Sequence, residues 1–204
     1  QRQNIKSDWH LQHINKHQNI PVVIGRNGLA WSPNLAEKPE DMQYKQEGAN
    51  RSPAGIFTLP MAFGIKDNPH PFMPYIHING NNVCVDDENS KFYNEIINKA
   101  VPGLKQDWAH AEIMNEEKPM YNTGLQVAYN PSHLPGEGSC IFVHQWRSSH
   151  SGTAGCTAMS SNNIVYLVNT LKQQDNPILV ELPISKYSHF QTEWQLPVIK
   201  IRSL

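Results

Sequence analysis

Gly138-Ser139-Cys140-Ile141-Phe142-Val143-His144 is a short apolar run that ends on a histidine, and Gly152-Thr153-Ala154-Gly155-Cys156 follows it as a loop of small residues that ends on a cysteine. An apolar run bounded by glycine and polar residues is the pattern of a buried strand. The expected geometry is a strand that delivers a base and a tight turn that sets a thiol beside it. Thiol chemistry needs both, because the thiolate is the nucleophile and a free cysteine is mostly protonated near neutral pH. Gly155 lets the backbone approach closely, and the Thr153 hydroxyl can hold the turn. The amides around Gly155 and Cys156 would then be placed to receive an oxyanion. On the motif alone, a core histidine packed beside a buried cysteine is the stronger reading.

Outward from this centre, the chain reads as many short strands separated by turn signals. Strands are expected over residues 21–24, 29–31, 56–59, 75–78, 82–85, 125–129, 140–144, 177–182 and 198–201. Asn27-Gly28 is the expected turn of a hairpin joining the first two, 51–55 is another turn, and 33–41 is a loop. Helices are expected over 8–19, 90–99, 107–115 and 162–173. The last is the clearest, with Ser160 or Ser161 as N-cap and Ile164, Val165, Val168 and Leu171 on one apolar face. This pattern predicts a mostly β protein with helical decoration, a β-sandwich or barrel-like core. Residues 1–20 read as a lead-in segment and 21–204 as a single domain.

A chain of 204 residues is long enough to bury one sizeable core. Its formal charge of -1 offers no basic field for nucleic acid. No apolar run approaches the roughly 18–20 residues needed to span a bilayer. The chain begins at Gln1 without Met, which is compatible with a removed signal peptide. Three cysteines are too few for a disulfide scaffold, and their spacing fits no zinc pattern, so no metal is expected. If Cys156 is reactive, Cys84 and Cys140 are left either as a bridged pair, implying an oxidising compartment, or as two buried thiols. Asp86 and Asp87 read as a loop before a helix start rather than as metal ligands. His10, His13 and His17 share helical spacing without a carboxylate or cysteine to complete a metal set, so a solvated face is expected.

The run Ile141-Phe142-Val143-His144-Gln145-Trp146-Arg147, followed by Thr153-Ala154-Gly155-Cys156-Thr157-Ala158-Met159, resembles the active-site signature of YkuD-type L,D-transpeptidases. It is most similar to the branch that reads Thr-Ala-Gly-Cys rather than Ser-His-Gly-Cys. Gly25-Arg26-Asn27-Gly28, Lys45-Gln46-Glu47-Gly48, Arg51-Ser52-Pro53-Ala54-Gly55-Ile56-Phe57, Val85-Asp86-Asp87, Phe92-Tyr93-Asn94 and Tyr129-Asn130 also fit, so the resemblance spans about residues 22–182.

The resemblance implies the family's mostly β catalytic sandwich, with Cys156 as nucleophile and His144 as base and later acid. It implies oxyanion support from Gly155 and Cys156, and loop support from Thr153. The implied reaction is acyl transfer between peptidoglycan stem peptides, from a tetrapeptide donor to an amine acceptor, giving 3→3 cross-links. Transfer to water would make an L,D-carboxypeptidase, and loss of turnover would leave a wall-binding module. No metal or organic cofactor is implied, because the thioester stores the acyl group. The implied setting is the bacterial envelope, periplasmic or secreted after signal-peptide removal, with the chain as a monomer. An envelope location would oxidise an accessible Cys84–Cys140 pair. Trp146, Arg147 and Tyr129 are candidate substrate contacts. Many relatives carry histidine where this chain has Ala154, and arginine or asparagine where it has Ala158. Gln145 replaces a small residue, which leaves a backbone carbonyl as the expected orienter of His144.

Overall fold

The structure, a computed structural model, describes residues 19–35, 37–67, 72–115 and 118–198. The helix expected over 8–19, with His10, His13 and His17, lies outside the described residues except for Asn19, as does the expected strand 198–201 except for Val198. Ile20–Glu181 forms one compact unit, and the described stretch from Leu182 onward belongs to a second.

The strands of the first unit are β1 (Val22–Val23), β2 (Leu29–Trp31), β3 (Ser52–Thr58), β4 (Met61–Gly64), β5 (Tyr75–His77) and β6 (Asn82–Cys84). They continue as β7 (Ile96–Asn98), β8 (Glu112–Met114), β9 (Thr123–Gln126), β10 (Phe142–Gln145) and β11 (Thr157–Met159). Helix α1 (Ser161–Thr170) and strand β12 (Ile178–Glu181) complete the unit, and α2 (Ile184–Glu193) lies in the second. A six-stranded sheet runs β1-β11-β10-β9-β4-β5, and two three-stranded sheets run β12-β3-β2 and β7-β6-β8. The expected mostly β sandwich with helical decoration is the observed architecture.

Side-chain alternation explains how the layers hold together. Ala62, Leu125, Val143 and Met159 of the large sheet join Phe57 of β3 and Ile164 and Val168 of α1 in one apolar cluster. Their chain neighbours Phe63 and Phe142 join Ile78, Cys84 and Met114 in another. Neighbouring residues on a strand point to opposite faces, so the large sheet is covered on both. That is why Ile141-Phe142-Val143 is apolar throughout and wholly buried. Burying a side chain such as Phe142 stabilises by about 1.5–3 kcal/mol. The Phe142 ring meets Phe63 edge-on at 5.2 Å. Gly124 of β9 makes room for Phe63, since a Cβ there would lie 2.3 Å from that ring.

Helix α1 follows its local signals: the Ser160 side chain caps it by accepting from the Asn163 amide, and Ile164 and Val168, one turn apart, are its buried residues.

Elsewhere the local signals mislead. Asn27-Gly28 does turn the chain, but β1 and β2 do not pair as a hairpin: β1 runs antiparallel to β11 and β2 parallel to β3. A turn sequence specifies a reversal, not which sheet receives the next strand. Residues 52–55 are strand rather than turn, paired with β2 and β12, and Gly55 serves close packing instead of a reversal: a Cβ there would lie 2.6 Å from Leu35. The helices expected over 90–99 and 107–115 are absent. Asn94 takes a left-handed conformation at φ 66° that interrupts the first, and Ile96–Asn98 then pairs with β6. Glu112–Met114 pairs with the other edge of β6, with Ile113 exposed and Met114 buried. Both cases are long-range pairing overriding a weak local preference. The sequence signals neither strand β4 nor strand β11 nor helix α2. Among the described residues no helix is long and apolar enough to cross a membrane.

Candidate active site

Strands β10 and β11 run parallel, with His144 opposite Ala158. Cys156 lies two residues before Ala158, so strand alternation sends Cys156 and His144 to the same side of the large sheet. On that side Cys156 packs against the cluster containing Phe142 and Cys140. Both residues line a cavity of about 590 Å³.

The loop before Cys156 is held from several directions. Thr153 pairs with the chain after β1, its amide donating to Ile24 O and its carbonyl accepting from Arg26 N, each at 2.9 Å. The Thr153 hydroxyl donates to the Cys156 carbonyl and accepts from the Gly155 amide at 3.2 Å. The Ser52 hydroxyl reaches the same Cys156 carbonyl at 3.0 Å. Thr153 is therefore the clasp of the turn. The Gly155 amide, expected as an oxyanion donor, is already engaged inside that turn, which leaves the Cys156 amide as the donor to consider.

Cys156 is the free cysteine among the described residues and is half-buried. Its Sγ donates to the Cys140 carbonyl at 3.4 Å and accepts from the Phe142 amide at 3.3 Å. Burial pushes the thiol well above its ordinary value, the nearby Glu112 carboxylate adds to this, and the Phe142 amide and Lys45 oppose it. Burial thus favours the protonated sulfur at rest.

His144 is 6% exposed and its Nδ1 lies 2.7 Å from the Gln145 carbonyl. A carbonyl only accepts, so Nδ1 carries the proton and Nε2 is left as a lone-pair base. Burial lowers the imidazole below its ordinary value and Arg147 lowers it further, against the raising effect of the Gln145 carbonyl. The ring sits 6.2 Å from that of Tyr121. Neutral thiol and neutral imidazole are the matched resting forms for a proton transfer that accompanies attack.

Trp146 and Arg147 line the cavity, but Tyr129 does not. Tyr129 is buried, donates its hydroxyl to the Glu137 carbonyl and meets Phe57 edge-on, so it braces the loop before Cys140 instead of facing a ligand. Asn94 ties down the same loop: its side chain donates to the carbonyls of Tyr129 and Asn130 and accepts from the Cys140 amide. Cys84 and Cys140 are joined by a disulfide with Cα atoms 5.9 Å apart. Asp87 precedes no helix; its carboxylate accepts from the amides of Asn89 and Ala109. Asp86 lines the cavity and pairs with His110 at 2.9 Å. Among the described residues no cluster of histidine, cysteine and carboxylate could hold a metal ion.

Several wall residues were not singled out as site residues by the sequence. Lys45, Glu47 and Ser139 stand on segments far apart in the chain, and Glu112 is supplied by β8, which the sequence disguised as a helix. Behind the site, Thr157 donates to Glu181 at 2.9 Å while the second carboxylate oxygen is buried without a partner. Burial pushes this carboxyl from 4.5 up to about 7. A raised folded-state value means the stabilising form is the protonated one, fully present at acid pH and lost as pH rises through neutrality. Glu181→Gln is therefore expected to melt close to wild type at pH 4 and to gain stability over it by pH 8, by about 2–3 kcal/mol. Thermal melts across that range check this, and a pH-independent difference would contradict it.

The YkuD family model, described as the L,D-transpeptidase catalytic domain, matches residues 9–181. Comparison with curated proteins and with solved structures gives no match. The family match covers most of the chain and includes both walls of the Cys156–His144 cavity. This chain belongs to the YkuD family of L,D-transpeptidase catalytic domains.

Proposed function

We propose that this chain is a cysteine-dependent L,D-transpeptidase of the Thr-Ala-Gly-Cys branch that joins peptidoglycan stem peptides by 3→3 cross-links. The observation that carries the reading is that a half-buried thiol and an imidazole, whose Nδ1 is held by the Gln145 carbonyl, line the same cavity.

In this mechanism Cys156 Sγ attacks the carbonyl carbon at the L-centre of the third-position diamino acid while its proton passes to His144 Nε2. The C–S bond forms, and the carbonyl oxygen becomes an oxyanion that the Cys156 amide can receive. Collapse breaks the amide bond to the terminal D-alanine, whose nitrogen takes the proton back from His144. An amine of a second stem then attacks the thioester, His144 accepts its proton, and the sulfur leaves and is reprotonated. The Gln145 carbonyl keeps one imidazole tautomer throughout. Ala154 and Ala158 leave the His144 side of the site without the second polar group that many relatives carry.

The Cys84–Cys140 bridge supports an oxidising compartment, periplasmic or secreted. Incubation with tetrapeptide muropeptides, followed by mass spectrometry, tests the function. Cross-linked dimers support it, and shortened monomers alone would make the protein an L,D-carboxypeptidase. Neither an adduct on Cys156 nor D-alanine release would leave a wall-binding module.

The resting protonation states give a pH expectation. His144 must be neutral to accept the thiol proton, and burial keeps it so to below the ordinary 6.5. Acylation is expected to hold steady from pH 8 down to about 6.5 and to fall as pH drops through the lowered imidazole range. A rate that is unchanged well into acid would point instead to a preformed thiolate–imidazolium pair.

A further inference from the structure

We propose that the Lys45 ammonium anchors a carboxylate of the donor stem peptide in the Cys156 cavity. This deepens the transpeptidase reading and rests on it.

Lys45 follows directly on the Trp31–Tyr44 bridge, and its amide donates to Trp31 O at 2.8 Å, so its position is set by backbone pairing. The residue is 3% exposed and lines the same cavity as the thiol. Two glycines give it room: a Cβ on Gly138 would lie 2.8 Å from Nζ, and one on Gly155 would lie 3.8 Å from Cε. The amine therefore sits between the loop before Cys140 and the turn that carries Cys156.

Its charge is poorly answered within the described residues. Nζ donates to the Gln46 carbonyl at 2.8 Å, which uses one of three N–H groups. Glu47 is the nearest carboxylate by sequence, but its Oε2 already accepts from Tyr93 and Ser139, each at 2.6 Å, and its Oε1 from the Gly48 amide. No carboxylate among the described residues forms an ion pair with Lys45. A buried ammonium is costly unless an anion answers it. Burial does lower its basicity, while Glu47 and Cys156 raise it. The missing partner is then a ligand anion, and the donor stem offers a carboxylate on the terminal D-alanine and, where the diamino acid carries one, another on its side chain.

The experiment compares three tetrapeptide donors: the free acid, a C-terminal amide and a side-chain amide. Calorimetric binding to Cys156→Ser, which should not turn over, is read beside steady-state kinetics of wild type and Lys45→Met. The expected result is a loss of about ten- to hundredfold in affinity for one amide and not the other, which identifies the carboxylate. Lys45→Met should raise KM for the free acid by a similar factor, on top of any kcat loss shared by all donors from withdrawing a cation near the sulfur, and should do nothing further to KM for the sensitive amide. Equal affinity for all three donors overturns the proposal even where wild type cross-links normally. Equal kcat losses on all donors with KM unchanged overturn it too, since they would assign Lys45 to the oxyanion or thiolate alone. Failure of wild type to acylate any donor would strike the transpeptidase reading itself, while differential binding would still report on Lys45. The donor comparison on Cys156→Ser stands even if Lys45→Met does not fold.

Discussion

Cys156→Ala is expected to lose D-alanine release and cross-linking down to the uncatalysed level while keeping its fold. The proposed covalent intermediate needs a nucleophile at this position, and no other free cysteine among the described residues can replace it. The structural cost is small. Removing one sulfur from a half-buried site forfeits about 1 kcal/mol, and the turn is clasped through the Cys156 carbonyl, which alanine retains. His144→Gln keeps a side chain of similar size without a base, so acylation should fall by about 10²–10⁴-fold. The two losses should not add, because both remove parts of one unit. Mass spectrometry of the protein after donor incubation, paired with thermal melts, reads both effects. Turnover by Cys156→Ala above about a thousandth of wild type would remove Cys156 from the mechanism.

Replacing Cys84 and Cys140 together by alanine, or reducing their bridge, is expected to cost a large share of the stability of this fold. The bridge closes a loop with a sequence separation of 56 residues, for which chain entropy alone gives about 4 kcal/mol. For a domain of this size that is a fall in Tm of about 10 °C. Activity should also suffer at temperatures well below the melt. Cys140 holds a left-handed backbone at φ 55°, its amide donates to Asn94, and its carbonyl accepts from the Cys156 thiol. Cutting the tether from β6 frees the carbonyl that fixes the resting sulfur. Calorimetry with and without reductant measures the first effect, and acylation rates at 25 °C the second. An unchanged melt under full reduction, verified by thiol counting, would contradict the stabilising role.

The structure shows why some of the site could be read early and some could not. The His144 strand and the Cys156 turn lie within one short stretch whose alternation and small residues act locally. The same holds for Ser160, whose hydroxyl caps the helix that begins one residue later. The Asn94 region misled because its apparent helix is broken by a left-handed residue whose side chain bonds to a loop some 35 positions away. Tyr129 misled because proximity in a motif is not proximity to a cavity. Its hydroxyl turns inward to Glu137.

The sequence by itself determined many of the short strands, the capped helix, and the placing of an imidazole and a thiol on neighbouring segments, because alternation and turn sterics are properties of adjacent residues. Only the tertiary structure decided which strands meet, that Ser52 bonds to the Cys156 carbonyl across 104 positions, and that Lys45 and Glu112 share a cavity wall with the sulfur. Such choices depend on burying both faces of one sheet at once, a condition that no short stretch of the chain contains.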